Sequence, residues 1–315
     1  MRLIDEILNK ATVIEKSVHD YLVGIIRGIA PHLEDILIVP ISEIREADEG
    51  WDAAIDDGAV PMFLQYKLPS FTTMGRRDWP THLRQRRAYN FEDDGGVFHF
   101  ALREKSQKSA LSQHQLLVNL QDAGEHAYYT STVYRDFRKL WGAGHGFGLP
   151  GSGAWRAWHT VSLLHNAPLD KYFVPWVSGL IFIPPHASVT GPPENHRFFY
   201  NELYEVSLHS DPMDVRALTL DDLVTTLADR RRNTPRVTVD HLKNGYVTGL
   251  FETLLGDNEN QTELAARLIE QYETVLARLL HADMNDAERR WTALRTVLWD
   301  AFDLDLMLAT RTRRT

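Results

Sequence analysis

Lys67 stands two residues after Gln65, at the end of an apolar run Pro61-Met62-Phe63-Leu64, and Asp52 lies thirteen positions before Gln65. Alternate residues of a strand point to one face, so Gln65 and Lys67 share a face and Tyr66 takes the other. A neighbouring antiparallel strand over residues 51–55, joined through Asp56-Asp57-Gly58, brings Asp52 beside them. A carboxylate, an amide oxygen and an ammonium then form one small patch. Mg²⁺ takes hard oxygen ligands and keeps several waters, so few protein ligands suffice when a substrate phosphate supplies others. The ammonium can hold an attacking water or neutralise charge developing on the phosphoryl oxygens. The chemistry such a patch serves is metal-assisted hydrolysis of a phosphodiester. The plainer alternative is an edge strand with a snorkelling Lys67 and a turn-capping Asp52.

The elements that must position these residues follow from periodicity. Leu3, Ile7, Leu8, Ala11, Ile14, Val18, Leu22 and Ile25 recur at helical spacing, predicting a helix over 3–28. Residues 35–40 read as a buried strand, 51–55 and 62–68 as two more, and 97–102 as another after the Gly95-Gly96 turn. A helix is expected over 109–123, ended by Gly124. The aromatic and β-branched run His126–Tyr134 then predicts a strand, and a further helix begins near Asp136. The segment 142–153 is glycine-rich without a Walker Lys-Ser/Thr pair, and reads as a loop. Residues 176–183 are strand-like. From about Leu218 the pattern turns helical, with long amphipathic stretches over 263–280 and 287–308.

Asp52 followed by Gln65-Tyr66-Lys67, in this order of helix, strands, helix and strand, resembles the PD-(D/E)xK nuclease superfamily in its QxK variant, as in Mrr-like and related defence nucleases. The resemblance covers roughly residues 1–140. It implies an α/β fold with a restriction-endonuclease-like core (helix, three to four strands, helix, strand) and a mainly helical C-terminal region. The expected division is a nuclease domain over 1–212 and a helical domain over 213–315. It also implies Mg²⁺ or Mn²⁺ as cofactor, Asp52 and Gln65 as metal ligands, and Lys67 as the residue that activates water. The superfamily often adds an acid from the first helix. Glu15, on the apolar side of that helix, is the candidate, with Glu6 and Glu49 as the other acids. The helix after the fourth strand can supply a polar accessory group, here Gln113 or His114, although helical spacing sets His114 among leucines as a structural histidine would be. Gln65 departs from the usual acid and removes one negative charge.

Residues 76–87, RRDWPTHLRQRR, hold five arginines and one acid. Arg76, Arg77, Arg84, Arg86 and Arg87 are expected to contact nucleic-acid phosphates at the rim of a cleft; a solvated loop is the alternative. The chain as a whole is acidic, with a net charge of −9, which argues against a wholly basic nucleic-acid binder. It has no cysteine, hence no disulfide framework or thiolate chemistry. No segment approaches the roughly 18 apolar residues of a membrane span, and the expectation is a cytoplasmic protein without membrane contact. The fourteen histidines show no HExxH spacing. Three function classes stay open. The first is a metal-dependent DNA nuclease in restriction or antiphage defence, with RNA as the other substrate class. The second is a nuclease-like binding or assembly module without catalysis. The third is an interaction protein whose C-terminal helices, with the stripe Leu264, Leu268, Tyr272, Val275 and Leu279, bind a companion or a second copy.

Overall fold

The computed structural model describes residues 15–29, 37–40, 58–73, 80–91, 93, 96–103, 111–134, 179–208, 214–233, 236–256, 259–282 and 284–310. The expected strand over 51–55, the helix near Asp136 and the glycine-rich segment 142–153 lie outside these residues.

Two five-stranded sheets organise the mixed α/β fold. The first carries the motif. Its strands are β1 (Leu37–Pro40), β2 (Val60–Tyr66), β5 (His126–Thr132), β6 (Leu180–Ile183) and β10 (Asp305–Thr310), in the order β1-β10-β2-β5-β6. β2 and β5 are parallel, and the other three pairings are antiparallel. A parallel neighbour requires a crossover, and α3 (Gln113–Asp122) supplies it. Ser112 caps that helix by accepting the Gln115 N–H at 3.1 Å. Gly124, with φ +86°, ends it and turns the chain into β5. The second sheet is antiparallel, in the order β3 (Ser70–Thr72), β4 (Val97–Ala101), β7 (Arg197–Tyr200), β8 (Glu205–Leu208), β9 (Asp214–Arg216). The chain passes from the first sheet to the second through Lys67-Leu68-Pro69, so Lys67 sits at the corner between them.

Every residue of β2 is buried, because both its faces are covered. One face (Met62, Leu64, Tyr66) packs under α1 (Glu15–Ile29) and α4 (Leu220–Asn233) through Val18, Leu22, Ile26, Leu223 and Leu227. The other (Phe63, with Tyr129 of β5) belongs to the larger core, shared with the second sheet, α3 and the C-terminal helices. Double coverage is why this strand reads as a continuous apolar run rather than an alternating one. The C-terminal helices are α5 (Val239–Lys243), α6 (Tyr246–Leu255), α7 (Glu259–Arg278) and α8 (Asp286–Phe302). The stripe on α7 is packed within the chain: Leu268 and Tyr272 are buried, and Leu264, Val275 and Leu279 lie partly buried against the larger core.

One sequence expectation is corrected here. The amphipathic stretch over 287–308 is not one helix. α8 ends at Phe302, Asp303 adopts φ +54°, and the chain returns as β10. An apolar run this short fits a buried helix end and a buried strand equally well. β10 occupies one edge of β2 from Val60 to Leu64, and β5 the other from Met62 to Tyr66. The last strand of the chain thereby ties the helical C-terminal region into the sheet that carries the motif. Among the described residues no helix is long and apolar enough to cross a membrane.

Candidate functional site

Gln65 and Lys67 point to one side of β2, as the two-residue period requires. Gln65 is 1% exposed and Lys67 3%. They lie at the carboxyl ends of the parallel pair β2 and β5, the position at which open α/β sheets bind ligands. The end of β5 is polar as well: Thr130, Ser131 and Thr132 are all fully buried. The Lys67 N–H donates to Thr130 O at 2.8 Å, and Ser131 Oγ donates to Lys67 O at 2.8 Å. Tyr200, from the second sheet, holds this corner from above. Its hydroxyl lies 2.7 Å from Ser131 Oγ and 2.9 Å from Thr132 O. The backbone carrying Lys67 is therefore fixed by both sheets.

The Lys67 ammonium sits over the ring of Tyr129, 5.4 Å from its centroid, a cation–π arrangement. Tyr129 is oriented in turn by His114 of α3. His114 Nδ1 is 2.9 Å from the Tyr129 hydroxyl, and Nε2 is 2.7 Å from Ala187 O. A carbonyl can only accept, so Nε2 carries the proton and Nδ1 accepts from the tyrosine. Burial, with the positive charges of His196 and Lys67, pushes the His114 pKa down to about 4 despite the Ala187 carbonyl. Burial holds the Tyr129 hydroxyl well above its ordinary range. His114 is thus the structural histidine of its helix, acting on the site through Tyr129. Gln113 is engaged elsewhere: its Nε2 donates to Phe302 O at 3.1 Å and lies 3.2 Å from Asp303 Oδ2, at the end of α8.

Gln65 is different. Neither Nε2 nor Oε1 of its buried amide has a hydrogen-bond partner among the described residues. An amide group left in that condition costs about 1–3 kcal/mol, so the position calls for a ligand, a water or a side chain beyond those described. Asp52 lies outside the described residues. Glu15 begins α1, and its side chain is likewise outside the description.

The carboxylate that the sheet itself brings to β2 is Asp305, on β10. It pairs with Leu64 and therefore shares the Tyr66 face, away from Gln65 and Lys67. It is 1% exposed and fully engaged. Oδ1 accepts from Arg295 Nε at 2.8 Å and from the Leu306 N–H at 3.0 Å; Oδ2 accepts from the Tyr66 hydroxyl at 3.0 Å. His19 Nε2 lies 3.2 Å from Oδ2, an ion-pair distance off hydrogen-bond alignment. Burial alone would raise the Asp305 pKa, but His19 and Arg295 bring it below the ordinary carboxylate value. Burial likewise opposes a proton on His19, yet Asp305 and Asp20 raise its pKa above 6.5. Periodicity gave no sign of this quartet, although a lone acid inside the run Leu304-Asp305-Leu306-Met307-Leu308 is a signal of one.

The basic segment divides. Arg76 and Arg77 lie outside the described residues. Arg84 and Arg87 are exposed on α2 (Pro80–Ala88). Arg86 is not a phosphate contact: it is 2% exposed and paired with Asp93 inside the protein.

The described part of the motif offers a metal one hard oxygen, Gln65 Oε1, beside one ammonium. Among the described residues no three His, Cys, Asp or Glu side chains gather to hold an ion. Gln65 Oε1 is a hard oxygen of the kind Mg²⁺ or Mn²⁺ takes, while Asp52 and the Glu15 side chain lie outside the described residues. No protein-family model, curated protein or solved structure matches the chain.

Proposed function

We propose that this chain hydrolyses phosphodiester bonds in DNA with the help of Mg²⁺ or Mn²⁺, at the carboxyl ends of β2 and β5. The observation that carries the reading is the buried pair Gln65 and Lys67 on one face of β2, the glutamine amide lacking a partner among the described residues. In this reading the first sheet belongs to a PD-(D/E)xK-type core. α1, β1, β2, α3 and β5 follow the expected chain order, and β10 stands beside β2.

Gln65, with Asp52 and Glu15, would hold the metal, which supplies Lewis-acid polarisation of the phosphoryl group when bound. Lys67 neutralises charge gathering on the phosphoryl oxygens and orients the attacking water. An ammonium fixed in advance in a dry corner is worth more there than in water. Tyr129, kept protonated and turned by His114, holds the ammonium in place. The restriction or antiphage setting rests on the sequence resemblance alone.

The test is incubation of supercoiled plasmid with the purified protein and Mg²⁺, Mn²⁺ or EDTA. Nicking that EDTA abolishes supports the reading; intact plasmid with both metals contradicts it. A binding module without catalysis is the second reading. It is favoured by Asp305, the acid beside β2, being turned away and already neutralised. DNA binding without cleavage would support it.

A further inference from the structure

α2 is an unusual helix for a folded domain. From Pro80 to Ala88 it has no acid, three arginines, and Leu83 as its one large apolar side chain besides proline. Such a segment has no apolar stripe with which to dock. A polar anchor holds it instead.

Arg86 supplies that anchor. Nε and Nη2 donate to the two oxygens of Asp93 at 2.6 and 2.9 Å. Nη1 donates to Ser207 Oγ at 2.9 Å and Phe199 O at 3.1 Å, and Nη2 to Glu205 O at 3.1 Å. All five guanidinium donors are used. The guanidinium also lies 4.3 Å from the centre of the Phe91 ring. Asn90, with φ +61°, closes the helix: the Phe91 N–H returns to Arg86 O and the Asn90 N–H to Arg87 O. This double return is the Schellman pattern, and it brings Phe91 and Asp93 under Arg86.

An anchor with five bonds to three elements fixes the rotation of α2 about its own axis. Arg84 and Arg87, three positions apart and so on one side of the helix, are turned to solvent. Tyr89 is 47% exposed beside them. The buried ion pair contributes little net stability of its own, whereas the outward face it fixes is basic and aromatic. In a chain of net charge −9, a polyanion is repelled except where charge is locally reversed, and α2 is such a place.

We propose that Arg84, Arg87 and Tyr89 form a docking surface for single-stranded DNA. The two guanidiniums contact backbone phosphates, and the Tyr89 ring stacks on a base. The choice of ligand rests on the proposed function; the surface itself does not depend on the chemistry at Lys67.

The test is fluorescence anisotropy of a labelled single-stranded oligonucleotide with the full chain in EDTA, which separates binding from cleavage. The double variant Arg84→Ala/Arg87→Ala should weaken binding at least about tenfold at low salt. It should also reduce the slope of log Kd against log salt by about 1.4, since each single-strand phosphate contact contributes ~0.7. Arg84→Lys/Arg87→Lys should recover most of the affinity. Tyr89→Ala should weaken single-strand binding more than duplex binding. Arg267→Ala/Arg278→Ala, the same charge change on exposed positions of α7, should bind as wild type. Unchanged affinity and slope in the Arg84/Arg87 alanine variant, or an equal loss in the α7 variant, overturns the proposal. Tighter binding of duplex or RNA of the same sequence overturns the single-stranded DNA assignment. Binding read in EDTA is separate from cleavage read with metal, so a failed nuclease reading and a failed docking surface are distinguishable.

Discussion

The Tyr66 hydroxyl donates to Asp305 Oδ2 at 3.0 Å, joining the residue between Gln65 and Lys67 to the last strand of the chain. The two sides of β2 thus have separate tasks. One presents an amide and an ammonium at the sheet's carboxyl edge; the other fastens the strand to β10, α1 and α8 through a single buried carboxylate.

Asp305→Ala leaves Arg295 and His19 facing a void that held their counter-charge. Removing one partner of a buried ion pair costs roughly 3–5 kcal/mol. Tyr66→Phe deletes one hydrogen bond and should cost about 1–2 kcal/mol. Urea unfolding measures both: the midpoint should fall in that order with the m-value unchanged. Equal stabilities for the two variants would contradict the central place given to Asp305.

Stability should depend on pH with opposite signs at two histidines. The folded pKa of His19 is raised, so its contribution is fully present below about 6.5 and is lost as pH rises through the folded value. His19→Gln should therefore flatten the loss of stability above that pH. His114, His99 and His126 are buried neutral with pKa values lowered to about 4. The unfolded chain takes up their protons first as pH falls, so stability declines between about 6.5 and 4. At His114 the displacement is worth roughly 3 kcal/mol, at about 1.4 kcal/mol per pKa unit. His114→Gln should make that acid limb shallower. Thermal midpoints across pH 4 to 9 read both effects.

Arg86→Lys keeps the charge on α2 but replaces a five-donor fork with a point charge. It should destabilise by about 2–4 kcal/mol, close to the cost of breaking a buried pair. Arg87→Ala, at an exposed position, should stay within about 0.5 kcal/mol of wild type. Comparable losses in the two variants would contradict the buried role of Arg86.

What the sequence disclosed follows from locality. α3, with its Gly124 stop, and the β-branched β5 are written in contiguous residues, as is the shared face of Gln65 and Lys67. The partner of β2 is not, because β10 arrives from 239 residues along the chain, the separation of Tyr66 and Asp305. No local pattern could show that it would take one edge of β2. Arg86 was misread because composition gives charge and not burial; Asp93, seven residues on, was its partner within reach. The acids expected to complete the site, Asp52 and Glu15, are the part for which sequence still carries the account alone.

The most direct test of the central claim is the rate at which Lys67→Ala nicks supercoiled plasmid in Mg²⁺, beside wild type and with both proteins checked for the same thermal midpoint. Loss of a fixed group that neutralises transition-state charge should slow cleavage by roughly 100-fold or more. A folded Lys67→Ala protein that cleaves at the wild-type rate would remove the reaction from the β2 corner.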